Sequence, residues 1–186
     1  SARMTISRIR KIAAIAKYTF IGNLRNRIFL VLVLFGLLLL CSSILLGLLS
    51  QEQEIRMLTD LGLAAIEVLA LFTAVFLMVN LLLEEIESKT IYLILTRSVG
   101  KMEYLLGRFL GTISSVLSCV VLMTLAHVVL LWCKGWKFEE EWVLYFLSVF
   151  MSFEKIFLIS AIALFFSLFS SSAVTSVVFT FFFLVL

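Results

Sequence analysis

Long apolar runs alternate with short charged islands along this chain. Ile28 to Ser50 carries no charge and is long enough to span a bilayer. Leu61 to Leu83 is apolar apart from Glu67, Thr73 and Asn80. Tyr104 to Cys133 is largely apolar after Arg108, and Trp142 to Ser170 is interrupted by the adjacent Glu154 and Lys155. Ala173 to Leu186 is still apolar where the sequence stops. A span needs about 20 residues, so the fifth is expected to continue beyond this sequence, with at least one more after it. The pattern predicts an all-α, polytopic helical membrane protein with spans over 28–50, 61–83, 104–133 and 142–170 and a fifth opening at 173–186.

The first segment has a different periodicity. Ile6, Ile9, Ala13, Ala16 and Phe20 follow helical spacing, with Arg8 and Lys11 on the remaining face. This predicts an amphipathic helix over 4–24, lying on the inner leaflet with its cations near anionic lipid. The plainer alternative is an ordinary basic flank. Ser1-Ala2-Arg3 ahead of Met4 reads as an added tail. The apolar run after this segment exceeds the usual core of a cleavable signal peptide, about 7–15 residues.

Composition agrees with the pattern. Hydrophobic residues make up 63% of the 186, whereas soluble domains run near half. The bilayer is the natural solvent for the excess. Proline is absent, so nothing forces a kink.

Charge placement sets the expected orientation. Arg8, Arg10, Lys11, Lys17, Arg25 and Arg27 precede the first span with no acid among them, and the 51–60 loop is net acidic. The positive-inside rule puts the N-terminus in the cytoplasm and that loop outside. By alternation the 84–103 segment and the Ser170-Ser171-Ser172 turn are cytoplasmic, and the 134–141 loop is external. Trp132, Trp136 and Trp142 cluster in or beside that outer loop, as an interfacial aromatic belt would.

Candidate chemistry is sparse. Cys41, Cys119 and Cys133 are scattered and form no metal or disulfide pattern. His127 stands alone in the third span and is expected to hydrogen-bond between helices. No phosphate-binding G-x-x-x-x-G-K-[ST] loop occurs, and no catalytic constellation is visible. Nothing points to nucleic acid. Glu67, Asn80 and Glu154 are the intramembrane polar candidates, since ionisable groups at depth are functional suspects. Alternatively, Glu67 reaches the outer interface and Glu154-Lys155 marks a break, with 142–153 as an interfacial helix. Gly107 and Gly111 open the third span with the spacing that lets membrane helices approach closely; packing of the connector against the bundle is the expected use.

The most informative segment is the charged connector after span 2. Ile86, Thr90, Leu93 and Ile94 share a helical face. Glu84, Glu85 and Glu87 gather at its start, and Arg97, Lys101 and Arg108 lie toward its end. That order complements a helix macrodipole. A bare loop needs only a few residues, so a helix over 84–101 presented to a cytosolic partner is expected.

Three stretches of this region together resemble the intracellular loop of ABC-2 type permeases: Glu85-Ile86-Glu87-Ser88-Lys89-Thr90-Ile91, Leu95-Thr96-Arg97-Ser98-Val99-Gly100-Lys101, and Glu103-Tyr104-Leu105-Leu106-Gly107-Arg108-Phe109-Leu110-Gly111. The family form reads approximately E-x-E-x-x-T-I-x-x-L-L-[ST]-R-P-V-[ST]-R, then a Tyr-Leu-Leu-Gly-Lys/Arg run. Ser98 stands here where proline is typical, and Lys101 where arginine is. The resemblance implies a type V ABC exporter-like transmembrane domain of six spans, five of them represented here, in a bacterial-type inner membrane. It implies two permease subunits, as homodimer or heterodimer, and a separate ATP-binding subunit that carries ATP and Mg. It makes the connector a coupling helix docked through Glu84, Glu85, Ile86, Glu87, Thr90, Ile94, Arg97 and Lys101. This chain itself would then hold no cofactor and no ATPase site. Two other classes stay open on the residues alone. One is a membrane scaffold with a docking helix, and the other is an ion-driven secondary transporter working through Glu67 or Glu154.

Overall fold

A computed structural model of the chain describes residues 2–47, 54–87, 100–135, 142–169 and 177–182. Within them the chain is all-helical. Five long helices are α1 (Ala2–Arg25), α2 (Arg27–Gly47), α3 (Glu54–Glu87), α4 (Lys101–Cys133) and α5 (Trp142–Phe169). A short helical segment follows at 177–182. Three helical stretches are long and apolar enough to cross a membrane: Ile55–Val79, Met102–Cys133 and Trp142–Phe166. A fourth candidate is α1 with α2, bent by 61° between Arg8–Arg25 and Phe29–Ser42. The expected span over 28–50 is thus the far arm of a bent pair. The break falls at Asn26, whose N–H donates to the Asn23 carbonyl at 3.0 Å and whose own carbonyl accepts from the Leu30 N–H at 3.1 Å. Asn favours such helix-starting positions.

α3 occupies the centre and packs against α2, α4 and α5. Its buried stripe is Leu58, Ile66, Leu69, Ala70, Thr73, Ala74, Leu77 and Met78. This stripe explains why α3 is longer than the 61–83 expected from hydropathy. Leu58 continues the same face one turn below Gly62, and no Gly or Pro breaks the helix between Glu54 and Leu61. At the other end the helix runs on through Glu87, so the first four residues assigned to the connector continue α3.

Between helices in lipid the hydrophobic effect gives little, and close van der Waals contact does most of the work. Small residues accordingly sit where helices meet. Gly36 of α2 faces Met123 and Leu69, and a Cβ there would overlap the Met123 side chain. The outward faces are apolar instead: Leu34, Leu38, Val121, Leu125, Phe150 and Leu158 are all exposed. In water so much apolar surface would drive association; in a bilayer it is solvated by acyl chains.

α5 runs unbroken through Glu154 and Lys155, so the alternative of an interfacial 142–153 helix is not what forms. At its far end α4 closes on a left-handed turn. Gly135 adopts φ 85° and donates to the Trp132 carbonyl at 3.0 Å. Glycine takes that conformation without the usual Cβ penalty. Trp132 and Trp142 are exposed at the adjoining ends of α4 and α5, as an interfacial belt requires.

Candidate functional site

In sequence the connector joins the end of α3 to the start of α4. Thr90, Ile94 and Arg97 lie outside the described residues, as do the side chains of Glu84, Glu85, Ile86, Glu87 and Lys101. The docking helix expected over 84–101 is therefore described only at its two ends.

Its downstream end is firmly tied. Gly100 is the N-cap of α4, with an extended backbone. Its N–H donates to Glu103 Oε2 at 3.3 Å, one half of the reciprocal arrangement that closes helix starts. The other oxygen, Glu103 Oε1, pairs with Arg8 Nε of α1 at 3.2 Å. One carboxylate thus joins the end of the connector, the first turn of α4 and the N-terminal helix. The Gly100-x-x-Glu103 spacing was a usable signal for half of this arrangement; the Arg8 half had none.

From Glu103 a seam between α1 and α4 runs for several turns. A Cβ on Gly107 would lie 2.8 Å from Ile15 and 3.1 Å from the Ile12 carbonyl oxygen. On Gly111 it would lie 2.6 Å from Thr19 Cβ and against the Ala16 backbone. Farther on, Asn23 Nδ2 donates to Thr112 Oγ1 at 3.4 Å and Ser115 Oγ at 3.3 Å. Contacts advance together along both helices, from Arg8 with Glu103 to Asn23 with Ser115, so α1 runs parallel to α4 and alongside it. The expectation that Gly107 and Gly111 seat the connector is corrected: they seat α1. Close packing also aligns α1 with a span, where the sequence suggested a helix lying flat on the leaflet.

Polar groups inside the seam are matched. Thr19 is buried and donates to the Ile15 carbonyl at 2.9 Å. Arg108 Nη1 approaches Thr19 Oγ1 at 3.5 Å, and its guanidinium lies 5.9 Å over the Tyr104 ring. Ser115 Oγ donates back to the Gly111 carbonyl at 3.0 Å. None of these groups forms a nucleophile–base pair. What the arrangement provides is a packed, hydrogen-bonded joint between α1 and the first half of α4.

The intramembrane candidates separate. Glu67 of α3 accepts from Lys155 Nζ at 2.5 Å and from Ser152 Oγ at 3.1 Å, both on α5. Glu154, its neighbour in sequence, is exposed and faces elsewhere. Asn80 lies within α3, but its side chain is outside the described residues. Glu67 and Lys155 both lie well inside candidate spans, so the surface they leave uncovered faces lipid, and each charge depends on the other for a partner. Breaking the pair one-sidedly costs more than removing both charges, because a lone charge remains in an apolar setting. Lys155→Met is therefore expected to lower resistance to SDS unfolding more than the double variant Glu67→Gln/Lys155→Met. Equal loss in the two would remove the pairing as the cause.

His127 is fully buried between three helices. Its Nε2 donates to the Leu58 carbonyl of α3 at 3.2 Å, which leaves Nδ1 to accept from the Tyr145 hydroxyl of α5 at 2.8 Å. A Cβ on Gly62 would overlap the imidazole, so that glycine makes room for the ring. The expectation of an interhelical hydrogen bonder holds. Tyr145 and Gly62 carried no sequence signal.

Comparison of the chain with family models and with curated proteins found no match.

Proposed function

We propose that this chain is the membrane permease subunit of an ABC-2 type transporter, acting as an exporter. It pairs with a second permease subunit and is driven by a separate ATP-binding subunit. The connector is the coupling helix, and ATP with Mg stays on the partner. The observation that carries this reading is the coincidence of motif and mechanics. The stretch Glu103–Gly111, the last part of the family-like motif, is also the seat of α1 through Glu103, Gly107 and Gly111. A push on the connector is thereby delivered to two helices at once. A simple scaffold has no need for such a linkage. The ion-driven reading loses ground as well, because the Glu67 carboxylate is engaged by Lys155 and Ser152.

Ile94→Pro tests the proposal. Proline in a helix interior costs about 3 kcal/mol, roughly two orders of magnitude in docking. The variant is expected to insert normally, to lose capture of the ATP-binding subunit and to lose vanadate-sensitive transport. Glu87→Lys is expected to weaken both more modestly. Wild-type capture and transport by Ile94→Pro would show that the connector is not a coupling helix.

A further inference from the structure

We infer that α1 and α4 together form a site for one anionic phospholipid of the connector-side leaflet, with an acyl chain against Phe20 and α4 and its phosphate at Lys17 and Arg10. This inference does not depend on the transporter reading.

Three observations converge on it. The face of α1 buried against α4 is Ile12, Ile15, Thr19 and Asn23. The stripe that looked apolar in the sequence meets this face only at Ala16, which lies against Gly111; of the rest, Ile9 is 60% exposed, Ala13 is exposed and Phe20 is only half-buried. The protein thus leaves uncovered the flank best suited to lipid.

Second, that flank borders a concavity of about 520 Å³ lined by Phe20 and by Ser114, Leu117, Val121, Leu122 and Leu125 of α4. It rises along α4 from the level of Phe20. About 11 residues separate Ser114 from Leu125, or roughly 16 Å of helix, the reach of most of an acyl chain. The surface is almost entirely hydrocarbon, so it suits a chain and not a polar solute.

Third, cations stand at its lower edge. Lys17 lies one turn before Phe20, and Arg10 lies seven residues before Lys17, on the same stripe of α1. Both are exposed, and neither makes an ion pair among the described residues. Depth agrees with charge. Trp132 and Trp142 mark one interface. A hydrocarbon thickness of about 30 Å corresponds to about 20 helical residues, which reaches from Trp132 back to Thr112. Thr112 is level with Thr19 and Asn23 of α1. The crevice therefore lies just inside the hydrocarbon and Lys17 just outside it at headgroup level; Arg10 stands about 10 Å farther out along α1, and in the proposed site its long side chain reaches back toward a phosphate held at Lys17. A zwitterionic lipid would fill the same crevice without a net charge for these cations.

The test uses the whole chain in vesicles, with Phe20→Trp as reporter and Trp132, Trp136 and Trp142 each changed to Phe. Quenching of the indole at position 20 is compared between phosphatidylglycerol and phosphatidylcholine carrying brominated acyl chains. Each basic residue near an anionic surface is worth roughly fivefold in association. A preference of at least about fivefold for the glycerol lipid is expected, falling to near unity in Arg10→Gln/Lys17→Gln. Arg56→Gln, which removes a charge from the opposite end of the bundle, is expected to leave the preference intact. Equal quenching by the two lipids, no quenching at all, or a preference unchanged in the double variant would overturn the site. If the tryptophan-replaced protein does not fold, native mass spectrometry of the otherwise unmodified chain in mixed phosphatidylglycerol–phosphatidylcholine micelles decides. One retained phosphatidylglycerol, lost on Arg10→Gln/Lys17→Gln, supports the site; retention in that variant overturns it.

Discussion

Gly111→Leu is expected to strip α1 from α4 while leaving the α2–α5 core assembled. The contact that any Cβ meets at this position is backbone, the Ala16 carbonyl and Cα, together with the buried Thr19 Cβ. Backbone cannot turn aside as a side-chain tip can. Overpacking usually costs about 1–3 kcal/mol, and a branched chain against backbone belongs at the top of that range. A loss of ~3 kcal/mol lowers a melting midpoint by roughly 6–12 °C in a chain of this size. Detached, α1 loses the packing that keeps its backbone helical, and trypsin is expected to cut after the already exposed Arg8, Arg10 and Lys17. Gly22 supplies the control, because nothing lies within 4 Å of a Cβ there. Gly22→Leu in the same helix is expected to be neutral or slightly stabilising. Matching melting curves and digestion patterns for the two variants would show that the α1–α4 seam does not hold the helix.

The second large effect lies at the other end of the bundle. His127→Leu removes the acceptor for the Tyr145 hydroxyl and the donor to the Leu58 carbonyl, and it reshapes the space that Gly62 leaves for the ring. A loss of about 2–3 kcal/mol in SDS unfolding is expected, and about 1 kcal/mol for Tyr145→Phe. Interhelical hydrogen bonds in membranes couple by about 0.6–1.7 kcal/mol. His127→Leu/Tyr145→Phe should therefore cost less than the two single losses combined, by about 1 kcal/mol. Additivity within about 0.5 kcal/mol would mean that the two rings are merely neighbours.

These two sites differ in how much of them could be read from the chain. Gly107 and Gly111 announced a close helix contact through their spacing, but spacing does not name the partner. α1 was hidden as that partner because its buried face mixes Ile12 and Ile15 with Thr19 and Asn23, while apolar Ile9 and Ala13 are left on the uncovered flank beside Arg10 and Lys17. The hydropathy of α1 therefore does not single out the face that meets protein. Glu154-Lys155 looked like a break because two charges in succession disturb an apolar run. The pairing of Lys155 with Glu67 spans 88 positions, and no local pattern encodes it. The helices themselves were legible because uninterrupted apolar runs without proline leave the backbone no other way to satisfy its hydrogen bonds in lipid. Their ends were less so. Glu54 to Asp60 is too polar to resemble a span, yet Leu58 keeps the buried register of α3 and carries the helix through it.

Length is the remaining feature with consequences. α3 has 34 residues and α4 has 33, each roughly 50 Å of helix. The hydrocarbon they cross is about 30 Å thick. The tryptophans leave little surplus at their end of α4, so the excess of roughly 20 Å emerges where α3 passes into the connector. The headgroup layer on one side is only about 5–8 Å deep. The last turns of α3 and the first turns of α4 therefore stand above the headgroups like a pedestal, and Glu87 at the end of α3 and Gly100 at the start of α4 lie in water beyond the membrane surface.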